Sequence, residues 1–401
     1  MNKKISLGLA IALIFISITA TFALTIPLSE NIYNSLISRL SNRFELYEGI
    51  SAIDNYVRTN FYGDFDDDAL FADSASGYMK GLDDVGSFYM TAQEYIEYTR
   101  RMKGEGGIGI DAMYDAEKAS LIITEVYSES SAEKAELQKD DVIIAVDGET
   151  VTAENSAGII DSLRFGRRFD SVNITYVRDG AEKTVTVMRG FTKTVSSSFL
   201  GNVGYVKITG FYENTAEQFT EEMDKLNAEG VTSLIIDVRG CSDGSVDYAA
   251  AVADQLLPSG VESADAIASA VKKDGTNYKN FTSDTKALTF PGGIIVLTDG
   301  GTSGGAELIV AQLRDFSKAQ ILGVTTAGEM TLQEIYALED GSAISLTVAK
   351  VVSYSGNTYC DGNGIDPDVL VEIDPSVKLA NSLDDIGQDS QLSAAYTKIT
   401  Q

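Results

Sequence analysis

Residues 294–333 read IIVLTDGGTSGGAELIVAQLRDFSKAQILGVTTAGEMTLQ. A short apolar strand, Ile294 to Leu297, runs into the turn Thr298-Asp299-Gly300-Gly301-Thr302-Ser303-Gly304-Gly305. A helix is predicted from Ala306, with Leu308, Ile309, Ala311, Gln312 and Leu313 at helical spacing. A second apolar strand, Gln320 to Val324, enters another turn at Gly328. A strand that breaks at small residues and opens a helix leaves backbone N–H groups at the helix N-terminus. Such groups attract anions, including the oxyanion of an acyl-transfer intermediate.

These residues carry a resemblance. The chain resembles the C-terminal (tail-specific) processing peptidases, membrane-associated serine-type proteases that join a PDZ domain to a serine–lysine catalytic domain. Their nucleophile loop reads G-S-A-S-A-S-E, followed about 25 residues later by G-K-G-T-V-Q. The matching segments are Gly301-Thr302-Ser303-Gly304-Gly305-Ala306-Glu307 and Gly328-Glu329-Met330-Thr331-Leu332-Gln333. Anchored on Glu307 and Gln333, the alignment puts the family serine at Gly304 and its lysine at Glu329. Both catalytic side chains are replaced while their spacing is kept.

The resemblance runs in order through most of the chain. Gly106-Gly107-Ile108-Gly109-Ile110 is similar to the loop and strand of a PDZ domain that hold a peptide's C-terminal carboxylate, which makes Gly107, Ile108, Gly109 and Ile110 the expected peptide-binding residues. Further on, Ser131–Leu137 and Asp141–Gly148 match "SPAEKAGL…GDVILAVDG", with Glu136 and Asp140 where the family has glycine, so those turns are expected to be reshaped. A helix at Ser156–Leu163 and a hairpin over Asp179-Gly180 complete the module. From Asn202, Gly204–Phe211 resembles "GYIRISSF", and Asn214 is placed to cap an amphipathic helix. Ser233–Arg239 resembles "GLILDLR". The family's oxyanion loop "NNPGG" becomes Gly240-Cys241-Ser242-Asp243-Gly244, so the resemblance makes Gly240, Asp243, Gly244 and Gly305 the oxyanion loop. A carboxylate at Asp243 is expected to repel a developing oxyanion. Residues 258–290 read as insertion material, Ile335–Leu338 and Ala343–Lys350 as paired strands, and Gly362–Val369 matches "GKGIEPDI".

Composition sets outer limits. Lys+Arg of 31 against Asp+Glu of 59 in 401 residues gives a formal charge of −28, which excludes nucleic-acid binding through phosphate contacts. With no histidine, Ser-His-Asp chemistry and His-ligated metal sites are impossible. The resemblance implies no cofactor and no metal. Cys241 and Cys360 are too few for a disulfide framework, though they could form one bridge outside the cytoplasm.

The N-terminus begins Met1-Asn2-Lys3-Lys4, followed by 22 uncharged residues from Ile5 to Ile26. That is enough to span a bilayer with the N-terminus inside; alternatively, Thr21-Phe22-Ala23 serves as a signal-peptide cleavage site. The expected location is the cell membrane, single-pass with the bulk extracytoplasmic, or secreted if residues 1–27 are removed. The expected fold class is α/β (α+β) and multi-domain. It comprises a helical region at 28–103, a PDZ domain at 104–190, a mixed-sheet protease-like core at 191–379 and a tail at 380–401, helical and then loose.

The expected function follows from the two substitutions. Gly304 has no hydroxyl to activate, and a carboxylate at Glu329 is a weak base for one at neutral pH. The leading expectation is a pseudoprotease that binds protein C-terminal tails and regulates an active relative or another envelope protein. The alternative is an active serine endopeptidase with Ser303 as a shifted nucleophile. Its base could only be Lys350, Lys318 or Lys207, and its bland reading is a helix cap. Gln333 matches the glutamine that orients the family's lysine.

Overall fold

The computed structural model describes residues 47–257, 266–283, 287–373 and 379–401. Residues 5–26, the expected membrane segment, lie outside them. Among the described residues no helix is long and apolar enough to cross a membrane. The chain divides into two compact units, Met1–Phe71 and Ala72–Gln401. The described part of the first, residues 47–71, holds a helix over residues 47–60, where Arg58 Nε meets Asp54 at 2.8 Å, one helical turn away, and the start of the helix Asp67–Lys80.

Within the second unit, a six-stranded sheet runs in the order Val369–Leu370, Ala319–Gly323, Ile294–Thr298, Ser233–Asp237, Val203–Ile208, Val195–Leu200. All neighbours are parallel except the last pair. Its central strands are continuous apolar runs because both faces are covered, as parallel sheets require. Leu234, Ile236 and Val296 face the helices Thr215–Ala228, Val246–Asp254 and Gly305–Asp315. Ile235, Ile295 and Leu297 face the opposite way, onto Leu383, Leu392 and Ala395.

Residues 380–401, expected to be helical and then loose, are helical as far as Ile399. Leu383–Gln388 is a 3₁₀ helix and Ser390–Ile399 an α-helix, packed on a sheet face that would otherwise be bare. A buried ion network secures it. Arg239, with no exposed side-chain area, reaches Asp237 (2.6 Å) and Asp389 (2.8 Å), and the Tyr205 hydroxyl donates to Asp237 (2.7 Å).

A second sheet centres on Ala343–Ser353, antiparallel to Thr331–Ala337 as expected. On its other edge it pairs with Phe88–Met90 and with Ala268–Val271, which in turn pairs with Asn277–Phe281. Part of the supposed insertion at 258–290 is therefore a sheet hairpin, with Ala268, Ala270 and Phe281 in the core. Its strands are too short and irregular to announce themselves.

The third sheet has its own core of Leu121, Ile123, Ile143, Ile174 and Val187, closed by the helix Ser156–Arg164. Its strand order is Ile110–Asp115, Ser120–Val126, Val142–Val146, Ser171–Arg178, Ala181–Met188. Glu136 and Asp140 have φ values of +62° and +71°, the left-handed region natural to glycine, so their side chains are tolerated at a cost in strain.

Candidate functional site

Ligands of parallel α/β sheets sit outside the carboxyl ends of the strands, and three such ends converge here. Strand Ile294–Thr298 delivers Asp299, whose carboxylate accepts from the N–H groups of Gly240 (2.8 Å) and Gly301 (2.9 Å). The Thr302 hydroxyl donates to the Val238 carbonyl (3.0 Å), and the Ser303 N–H donates to Cys241 (3.0 Å). These bonds join the loop after Asp237 to the loop after Thr298.

Gly304, at φ +57° and ψ −113°, caps the helix Gly305–Asp315. Non-glycine residues are strained there, yet a Cβ would meet only the Glu329 carbonyl, at 4.0 Å. The two positions that the alignment gives to serine and lysine are thus neighbours in space. Glu307 holds them together. Its fully buried carboxylate accepts from the N–H groups of Gly304 (3.1 Å), Gly328 (2.7 Å) and Glu329 (2.8 Å), and from the Thr326 hydroxyl (2.5 Å). Burial raises its pKa, against the pull of those hydrogen bonds.

A cleft of about 420 Å³ opens over this junction, lined by Ser303, Gly304, Gly305, Glu329, Gln333 and the oxyanion-loop residues Asp243 and Gly244. Ser303 is 5% exposed, and its hydroxyl makes no hydrogen bond among the described residues. It does not cap the helix. Gln333 bonds through Nε2 to the hydroxyls of Thr331 (2.8 Å) and Thr347 (3.3 Å). No lysine lines the cleft. Lys350 is paired with Asp361 (2.5 Å), which raises its pKa and so moves it away from a base's range. Lys207 is bonded to Asn381 (2.5 Å).

The oxyanion loop departs from expectation in two ways. The N–H groups of Gly240 and Gly244 are already given to carboxylates, Asp299 (2.8 Å) and Asp243 (2.8 Å) respectively. Asp243, expected to be a free repelling charge, is instead compensated by Arg101, whose Nε lies 2.9 Å away. Burial disfavours the Asp243 charge, but the guanidinium outweighs burial and holds the carboxyl below the ordinary carboxylate range. Arg101 also meets Asp161 (2.9 Å) and lies 4.3 Å from the centroid of the Phe165 ring. It thereby links the helix Ala92–Met102, the helix Ser156–Arg164 and the oxyanion loop. Arg101 and Asp243 are 142 residues apart, and no local signal marks the pair. Glu307 left a faint trace in the sequence, an acid in the first turn of a helix that begins at glycines.

At the loop expected to bind a carboxylate, Gly109 is left-handed (φ +83°), and any Cβ there would lie 2.3 Å from Ser130 Cβ. The Ile108 N–H donates to the Leu163 carbonyl (3.1 Å), and Ile108 itself is buried. Carbonyls of Gly107 and Gly109 accept from Gly190 (2.8 Å) and Tyr127 (3.0 Å). Ile110 opens the strand Ile110–Asp115. Cys241 and Cys360 are free, buried thiols, and burial pushes both upward in pKa.

The fold and cleft define a mixed-sheet α/β scaffold with an attached six-stranded module. Residues 202–371 match Peptidase family S41, and residues 106–188 match the PDZ domain. Carboxy-terminal processing protease CtpA of Bacillus subtilis (strain 168) is 28% identical over 80% of this chain, and a "Probable CtpA-like serine protease" of Staphylococcus haemolyticus is 27% identical over 74%. The matched stretches span 68% and 58% of those relatives' own lengths. The solved "Putative S41 protease" of Bacteroides fragilis shares the fold, with a TM-score of 0.54, 17% identity, and coverage of 81% of this chain and 90% of that one. The chain belongs to the S41 family of PDZ-containing C-terminal processing peptidases.

Proposed function

We propose that this chain is a non-hydrolysing S41 homologue, held outside the cytoplasm by residues 5–26, that binds protein C-terminal segments without cutting them. One observation carries the reading. The cleft has space but no hydroxyl at Gly304, and no lysine lines it. The N–H groups of Gly240, Gly244 and Gly304, already given to carboxylates, support it further, because an acyl-transfer oxyanion would have fewer donors to meet. A tail entering between the strand Ile110–Asp115 and the helix Ser156–Arg164 would take over the Ile108 N–H from Leu163.

Gly304→Ser with Glu329→Lys, assayed on a disordered polypeptide beside the wild type, tests the reading. Turnover by the double variant alone is the expected result. Turnover by the wild type that is lost in Ser303→Ala, with fluorophosphonate labelling of Ser303, would replace it with the shifted-nucleophile reading. That second reading has one point in its favour, which is that Ser303 lines the same cleft.

A further inference from the structure

Glu329, standing where the family resemblance expects a lysine, deepens the acidity of the cleft. Five carboxylates line it, on Asp83, Asp84, Asp243, Glu329 and Asp361, and no lysine or arginine does. Two are neutralised from behind, Asp243 by Arg101 and Asp361 by Lys350. Asp83, Asp84 and Glu329 make no ion pair among the described residues; the Ser87 hydroxyl donates to Asp84. Five backbone donors that would favour an anion are absorbed. Gly304, Gly328 and Glu329 N–H groups go to Glu307, Gly240 N–H to Asp299 and Gly244 N–H to Asp243.

Independently of the carboxylates, Ser303 is a 5% exposed residue that borders the cleft, and its hydroxyl makes no hydrogen bond among the described residues. Its oxygen lone pairs can accept a hydrogen bond from an ammonium or guanidinium.

We infer that the cleft selects a lysine- or arginine-bearing segment of a protein partner, with Glu329, Asp84 and Asp83 compensating the charge and Ser303 accepting from its N–H. The inference rests on the reading that the cleft holds a protein segment without cutting it. It adds the chemistry that the segment must present.

The test uses the full-length protein at 150 mM salt and fluorescence anisotropy of two disordered peptides. They share one C-terminus, and one carries internal lysines where the other carries glutamines. The lysine peptide should bind about tenfold more tightly. Glu329→Gln with Asp84→Asn should remove that preference, as two ion pairs of ordinary exposed strength would. Ser303→Ala should weaken the lysine peptide by a few-fold and leave the glutamine peptide unchanged. The control Glu221→Gln with Asp224→Asn removes two exposed charges from the helix Thr215–Ala228 and should change binding less than about twofold.

Equal loss in the control pair would mean diffuse attraction to a chain of net charge −28 and would overturn the inference. Equal affinity for the two peptides would overturn it while leaving tail binding intact. If an amidated lysine peptide binds as well as the free acid and still depends on Glu329, the inference stands and capture of the terminal carboxylate fails.

Discussion

Arg101→Ala probes the contact that holds the oxyanion loop in place. Arg101 Nε and Nη2 both reach Asp243 Oδ2, and the side chains are 30% and 28% exposed. An exposed ion pair contributes about 0–1 kcal/mol, and removing one partner of a buried pair costs about 3–5 kcal/mol. The intermediate exposure places the coupling at about 2 kcal/mol. A double-mutant cycle with Arg101→Ala and Asp243→Asn, followed by urea unfolding, isolates it from the lesser contact with Asp161.

The pH dependence has a fixed sign. Burial opposes the Asp243 charge, but Arg101 depresses its folded pKa below the unfolded value of about 3.9. A depressed carboxyl pKa contributes stability that is fully present above about pH 4 and is lost as pH falls through the folded pKa. The coupling should therefore be complete at pH 7 and decline below pH 4. A coupling under about 0.5 kcal/mol at pH 7, or one unchanged at pH 3, would refute the assignment of Arg101 as the compensating charge.

Two further predictions concern stability. Glu136→Gly and Asp140→Gly should each raise unfolding free energy by roughly 0.5–1 kcal/mol in urea titrations, because glycine relieves left-handed strain at φ +62° and +71° while giving back some entropy. Asp389→Asn should cost about 3 kcal/mol by leaving the Arg239 guanidinium under-compensated where it has no exposed side-chain area. The same change should make the chain beyond Val371 sensitive to limited proteolysis, as the helix Ser390–Ile399 loses its anchor.

Local patterns made much of the fold legible. The apolar runs at 233–238 and 294–297, the small-residue turn after each, and the helical spacing from Ala306 are each signals a few residues long. Each obeys a short-range rule of sterics or periodicity. The family resemblance also identified Gly304 and Glu329 as positions of interest, and in the fold they are neighbours across the Glu329 carbonyl. The hairpin over Asp179-Gly180 was equally plain, since both residues take the left-handed turn conformation that such dipeptides favour.

What the sequence left open depends on pairs far apart along the chain. Asp243 reads as an exposed repelling charge until Arg101 arrives from a distant helix, and Ile108 reads as a free donor until the Leu163 carbonyl takes its N–H. The tail reads as helical, but where the helix Ser390–Ile399 packs is decided only by the apolar back of the sheet and the buried Arg239, which require a covering layer. Periodicity and spacing are properties of the neighbouring chain. Where a charge finds its counter-ion, or a backbone donor its acceptor, is set only when distant segments come together.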